Sequence, residues 1–379
     1  MPTGLLDVLS VGALLVLLAV AFVHPPAWVE VLAGVVAAGA VLAGGAVDVA
    51  GAWDQTELLF PVVAFLAAIL VVAEVCAAEG VFAAVGSIVA RASRRRPQRM
   101  LALTFVAAAL VTATLSLDAT VVLLTPVVAS AATSTMVSPR PMVYACVRLA
   151  NSASLLLPVS NLTNLLALPS LPHLSFLGFA LLMAPVWLAV IAVEYVGHRV
   201  FFSGDLARVP ESGGRTEDVP LPVVPLVLVA AMLVAFAALS PLDVEPAGVA
   251  GVAAVALSGY ALARRRVDLP TVGRATHLSF AIFVLCLGVV VAGLTDTFLG
   301  DLVARVVPDG TGLGLGVGVG VGSSLTYTGS LANLLWRRTV LRHGGDASAR
   351  TFHVLSAIVT LPAVVVAVVV LWAWAPIVG

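Results

Sequence analysis

The segment Asn151 to Leu168, NSASLLLPVSNLTNLLAL, sets three Asn, three Ser, one Thr and one Pro inside an apolar run of membrane-spanning length. Pro158 removes a backbone donor and disfavours helix at Leu157, while Ser152, Ser154, Ser160, Asn161, Thr163 and Asn164 can hydrogen-bond the freed backbone groups or a polar solute. Non-helical backbone is tolerated at membrane depth only where it is buried in protein or lines a water-filled cavity. The spacing therefore predicts a broken helix whose polar groups face such a cavity. The competing reading is that these small polar residues only join neighbouring helices.

Asp118 is the second anchor, in SLDAT (116 to 120), which interrupts the apolar run 100 to 136. That run is too long for one span and predicts a hairpin with Asp118 at its tip. A carboxylate at membrane depth costs about 2.5 to 3.5 kcal/mol unless it is paired, hydrated or protonated, a setting that suits a proton carrier. Asp is also a preferred N-cap, so capping the half-helix that begins at Ala119 is a compatible structural role. Arg148, on the order of 10 Å into its span by the helical rise, is the expected charge partner of Asp118 or Glu74, unless it snorkels to the interface. Glu194 and His198, spaced i, i+4 near a span end, read as a local pair. His173, His277, His343 and His353 fall at span borders or in loops. No cluster with metal-ligand spacing and no nucleophile motif beside an embedded His is present, so neither metal, nor cofactor, nor enzymatic activity is expected. The scattered Cys76, Cys146 and Cys286 form no paired motif.

The elements that must position these residues follow from composition. Of 379 residues 61% are hydrophobic and 10% charged, with mean hydropathy +1.13, which calls for a lipid bilayer as surroundings. The net charge of -1 and the arginines in short separate clusters argue against a nucleic-acid partner. Spans of about 20 apolar residues can be marked at 5–23, 27–47, 58–78, 141–168, 174–197, 220–240, 245–262, 277–294, 322–341 and 354–377. The first has no basic residue before it and no small-residue cleavage site, and reads as a retained span.

Arg-rich loops at 91–99, 198–215, 264–274 and 337–350 belong inside by the positive-inside rule, whereas the acidic DVAGAWDQTE and SPLDVEP fall outside. Ten spans plus a hairpin that enters and leaves on one side satisfy these assignments and place both termini outside the cell membrane. The polar linker 203–219 divides the spans into a first repeat, 1–202, and a second, 220–379. VSNLTNLLAL (159 to 168) echoes TGSLANLLWR (328 to 337), placing Asn164 opposite Asn333 and Ser160 opposite Gly329. The expected fold is an all-α polytopic membrane protein, an inverted repeat of five transmembrane helices each, with broken helices and one re-entrant hairpin, 100–136. Such repeats mark secondary transporters, whose sites lie at the repeat interface.

LDATVVLLTPVV (117 to 128), NSASLLLPVSNLTNLLAL (151 to 168) and GSSLTYTGSLANLLWRR (322 to 338) resemble three signature segments of the ArsB arsenite permeases, within the ion transporter superfamily. The resemblance covers most of the chain. It implies efflux of arsenite or antimonite in exchange for protons, optionally docked to an arsenite-stimulated ATPase subunit. Asp118, Thr125 and Pro126 match the hairpin motif. Ser160, Asn161 and Asn164 match the broken span of the first half, and Gly329, Ser330 and Leu331 match the second. Neutral arsenite is a small trihydroxide that hydroxyls, amides and backbone dipoles can bind without a basic residue.

On this reading Asp118 carries the proton, and Thr120, Ser152, Ser154, Ser160, Asn161, Asn164, Thr328, Gly329, Ser330 and Asn333 bind substrate. Two departures stand against the family pattern: Leu117 replaces the Asn before the hairpin Asp, and residues 295–321 are too short for a second hairpin. DGTGLGLGVGVGVG (309 to 322) would form an extended or loosely helical filler. A site lined mainly from one side could be completed by a second copy of the chain. The alternatives are a carboxylate-type anion symporter of the superfamily and a degenerate, non-transporting membrane protein.

Overall fold

The fold comes from a computed structural model, which describes residues 3–23, 25–167, 175–208, 218–239, 242, 244–294 and 312–378. All regular structure among these residues is helical. The chain runs through α1 (Thr3–Val23), α2 (Ala27–Gly44), α3 (Val49–Ala78), α4 (Val81–Ser93), α5 (Pro97–Thr114), α6 (Leu117–Ser134), α7 (Arg140–Ser152) and α8 (Leu162–Ala167). It continues through α9 (Phe176–Phe201), α10 (Ser203–Ala207), α11 (Val223–Leu239), α12 (Pro246–Ala263), α13 (Leu269–Ala275) and α14 (Leu278–Ala292). After the undescribed stretch come α15 (Gly312–Gly322), α16 (Leu331–Arg342) and α17 (Ala349–Val378). Among the described residues eight helical stretches, with Leu269–Ala292 taken as one, are long and apolar enough to cross a membrane. The protein is an all-α polytopic membrane protein.

Local chemistry sets the boundaries. Gly45, at φ 80, ends α2 in the left-handed region, and the Asp48 carboxylate accepts from the Gly51 N–H to start α3. Pro97 opens α5 at a position where its missing N–H costs nothing. Each of the ten expected spans has a helix, and the two that carry the echoed motif are interrupted. The expected hairpin is present as α5 and α6 joined by Leu115 and Ser116. Its arms are longer than half-helices, 18 residues each and apolar enough to cross.

Three differences are informative. Helix α4, which packs on α5 and α6, was not expected, because 13 residues fall short of a span. The Gly-Val filler is helical from Gly312 onward, and Val317 and Val321 of α15 pack with Ala363, Ala367 and Leu371 of α17. Residues 295–311, where the absence of a second hairpin was argued, lie outside the described residues, as do His173 and most of the linker 203–219.

Packing surrounds one central helix. Every residue from Pro141 to Ser152 in α7 is buried, between α5, α6, α9 and α16. Helix α9 lies along α17, and α3 lies against α12 and α14. The functional segments are thereby held away from the lipid-facing surface.

Candidate functional site

Two helix breaks and the hairpin tip converge on one cavity. The first break runs from a 3-10 turn at Ala153–Leu155 through extended Leu157 (φ -117, ψ 148) to a second 3-10 turn, Pro158–Ser160, and extended Asn161 (φ -148, ψ 138). The second repeats this: Ser323–Leu325, extended Thr326 (φ -131, ψ 158), Tyr327–Gly329 and extended Ser330 (φ -146, ψ 151). Hydrogen bonds repeat as well. Asn164 Nδ2 donates to the carbonyls of Ser154 (2.7 Å) and Leu157 (3.2 Å). Asn333 Nδ2 donates to those of Ser323 (3.0 Å) and Thr326 (2.8 Å). Ser154 Oγ donates to the Asn151 carbonyl and Ser323 Oγ to the Gly320 carbonyl. The sequence echo is thus a structural one at both breaks.

The breaks are tied together. Asn151 Nδ2 donates to Asn333 Oδ1 at 2.8 Å, and Ser323 Oγ donates to Asn151 Oδ1 at 3.2 Å. Ser160 Oγ donates to the Ala113 carbonyl at 2.8 Å, joining the first break to the last turn of α5. Gly329 stands where the first break has Ser160, because a Cβ there would lie 2.2 Å from the Ser323 carbonyl oxygen.

At the hairpin tip Ser116, not Asp118, is the cap: its Oγ accepts from the Ala119 N–H at 3.1 Å. The first turn then widens into a π-helical turn, Thr120–Leu124, because Pro126 lacks an N–H and its ring crowds the preceding turn. Thr125 Oγ1 donates to the Thr120 carbonyl at 3.0 Å, satisfying one of the groups disturbed there. Asp118, relieved of capping, keeps a buried Oδ1 with no hydrogen-bond partner among the described residues.

The cavity enclosed by these elements holds about 320 Å³. Of the expected site residues Asp118, Ser160, Asn161, Gly329 and Ser330 line it. Thr163, already named as able to bond a polar solute, lines it as well; Ser116, Asn151 and Ser323 also line it and were not assigned to it from sequence, although each sits inside or beside a quoted motif. Asn164 and Asn333 spend their amides on backbone carbonyls and act as braces for the breaks. Thr120 shares a hydrogen bond with Thr112 (2.7 Å), Ser154 serves the Asn151 carbonyl, and Thr328 lines a neighbouring cavity. Ser152 donates to Glu194 Oε1 at 2.9 Å.

Arg148 faces away from the cavity, which corrects its expected partners. Its Nε and Nη2 donate to Glu194 Oε2 (3.0 Å) and Oε1 (2.5 Å), so neither Asp118 nor Glu74 is paired with it. Its Nη1 donates to the Ser324 carbonyl, Ser356 Oγ and Thr360 Oγ1. Helix α9 continues to Phe201, past the expected end of its span, which carries Glu194 into the packed interior. His198 Nδ1 lies 2.9 Å from the Glu194 backbone carbonyl and 3.9 Å from its carboxylate, the local pair expected from the i, i+4 spacing. Asp118 is therefore the only ionisable side chain among the described residues that lines the central cavity. The arrangement can receive a small polyhydroxyl solute and one proton.

Residues 8–316 match the sequence profile of the CitMHS family, described as citrate transporters. A stretch of 165 residues, 42% of the chain, is 29% identical to the arsenical pump membrane protein of Escherichia coli. The matched stretch spans 38% of that relative's length.

Proposed function

Since the chain belongs to the CitMHS citrate transporter family, a membrane transporter of the CitMHS and ArsB kind, we propose that it is a secondary transporter in the cell membrane that exports arsenite or antimonite in exchange for protons. The observation that carries this reading is the lining of the central cavity. It offers hydroxyls, amides and the backbone of two broken helices, with one carboxylate and no Arg, Lys or His among its described lining residues. Arg148, the one buried guanidinium nearby, is already held by Glu194. A tricarboxylate would meet Asp118 with no fixed cation among the described lining residues to offset its charge, whereas a neutral trihydroxide asks only for donors and acceptors.

In this reading Asp118 exchanges the coupling proton, while Ser160, Asn161 and Ser330 face the substrate. The two segments 1–202 and 220–379 would move against each other as halves of an inverted repeat, with both termini outside. The family match favours a second reading, a carboxylate symporter. There the N-terminal end of α16 at Ser330 would face the anion.

Radiolabelled arsenite accumulation in everted vesicles under an inside-acid gradient tests the first reading, with citrate in parallel. Arsenite uptake that a protonophore collapses supports it. Citrate uptake with no arsenite uptake above empty vesicles replaces it with the second, and neither substrate moving would favour a non-transporting role.

A further inference from the structure

Two cavities meet at Asp118. Beyond the central one, a second cavity of about 390 Å³ lies on the other side of this residue. Leu66, Phe280, Leu331 and Asp118 line both, so three apolar side chains and one carboxylate form the partition. The second cavity carries three further titratable groups from three different elements: Glu30 of α2, Glu74 of α3 and His277 at the head of α14. These are the charged groups that line the second cavity with Asp118. His277 is exposed, Glu30 and Glu74 are half-buried, and Asp118 Oδ1 is buried and without a partner, so polarity runs inward from the surface to the partition.

On the far side the contrast is plain. The central cavity is separated from another, lined by Glu57 and Glu245, only by Val62, Phe65 and Leu165. That partition holds no group able to pass a proton.

We propose that the cavity lined by Glu30, Glu74 and His277 is a proton vestibule, through which Asp118 exchanges its proton with water on the side opposite the substrate. Proton release and substrate binding then use two different cavities at the same carboxylate, and the proton taken up from outside arrives through the central one. The step is a proton transfer alone: the O–H bond of protonated Asp118 breaks, and one forms on a vestibule water or carboxylate. With the span ends assigned as above, the vestibule opens to the cytoplasm, where an importer of protons must release them. This rests on Asp118 being the coupling residue, and its test uses no substrate, so failure of the arsenite assignment leaves it intact.

The purified protein in lipid vesicles is treated with dicyclohexylcarbodiimide, which modifies protonated carboxyls in apolar settings, and the Asp118 adduct is quantified by peptide mass spectrometry across a pH series. Removing two negative charges that line the same cavity takes away repulsion that favours the protonated form. Glu30→Gln with Glu74→Gln should therefore move half-modification to lower pH, by roughly three- to tenfold in proton concentration. The single variants should shift it part of the way, which keeps the test available if the double variant does not fold. Glu57→Gln with Glu245→Gln, on the far side, should leave it in place. An unmoved midpoint in folded Glu30→Gln and Glu74→Gln variants, or a larger shift from the Glu57 and Glu245 pair, overturns the proposal.

Discussion

Arg148 of α7 and Glu194 of α9 face each other as a doubly hydrogen-bonded pair with both side chains fully buried. The remaining guanidinium donor atom reaches the Ser324 carbonyl at the second helix break and two hydroxyls of α17. One side chain thus fastens the central helix to the broken helix of the other half. Removing one partner strands a buried charge, at about 3–5 kcal/mol. Arg148→Met should accordingly lose most of its folded yield on gel filtration. Arg148→Met combined with Glu194→Met should recover it, since neither charge is then left alone. A stable single variant would refute the role given to the pair.

Asp118 presents the opposite case. With Ser116 capping the helix and Oδ1 unpartnered, Asp118→Asn should melt in detergent within about 1 kcal/mol of the wild type. Gradient-driven transport should nevertheless vanish, while substrate counterflow, which needs no net proton movement, continues. Full gradient-driven activity in this variant would remove Asp118 from the mechanism.

The bracing asparagines should separate from Asn161, which lines the cavity. Asn333→Leu and Asn164→Leu each leave two backbone carbonyls without their donor, at about 1–3 kcal/mol per buried group. Both should lower thermal stability, and Asn333→Leu more, because it also loses its bond from Asn151. Asn161 lines the cavity but also donates to Ser154 Oγ and accepts from the Thr163 N–H, so Asn161→Ala should cost less stability than either Leu variant and weaken substrate binding. Equal melting temperatures with wild type for the two Leu variants would return those amides to the substrate.

Gly329→Ala places a methyl group against the Ser323 carbonyl, where only backbone movement makes room. Loss of both folded protein and transport is expected. Ser160→Ala at the equivalent place in the first break gives up one hydrogen bond, about 1 kcal/mol, and should remain folded. Thermal melts of the two variants side by side decide the matter.

Orientation can be read with cysteines at two exposed positions, Asp54 and His343. An impermeant maleimide added to intact cells should label Asp54→Cys and spare His343→Cys until the membrane is permeabilised. The reverse pattern would invert the assignment of sides and, with it, the direction in which the vestibule opens.

The helical spans were legible because the bilayer imposes a local rule: about twenty apolar residues in a row satisfy their own backbone whatever packs beside them. The breaks were legible for a similar reason, since Pro158 and the polar residues around it announce freed backbone groups within one short window. The echo between Asn164 and Asn333 was visible in the letters. The use of both was not, because the carbonyls each break releases lie within reach of those amides, and the nearest acceptor takes the donor. Glu194 was judged peripheral from its place near the end of an apolar run. Its burial depends on α9 continuing to Phe201 and on the face it turns to α7. By itself, then, the sequence determined the membrane setting, the spans, the two breaks and the carboxylate at the hairpin tip, all of which follow from neighbours along the chain. Only the tertiary structure decided that Arg148 belongs to Glu194, that Ser116 frees Asp118, and that Asp118 stands between two cavities, because each depends on which helix faces meet.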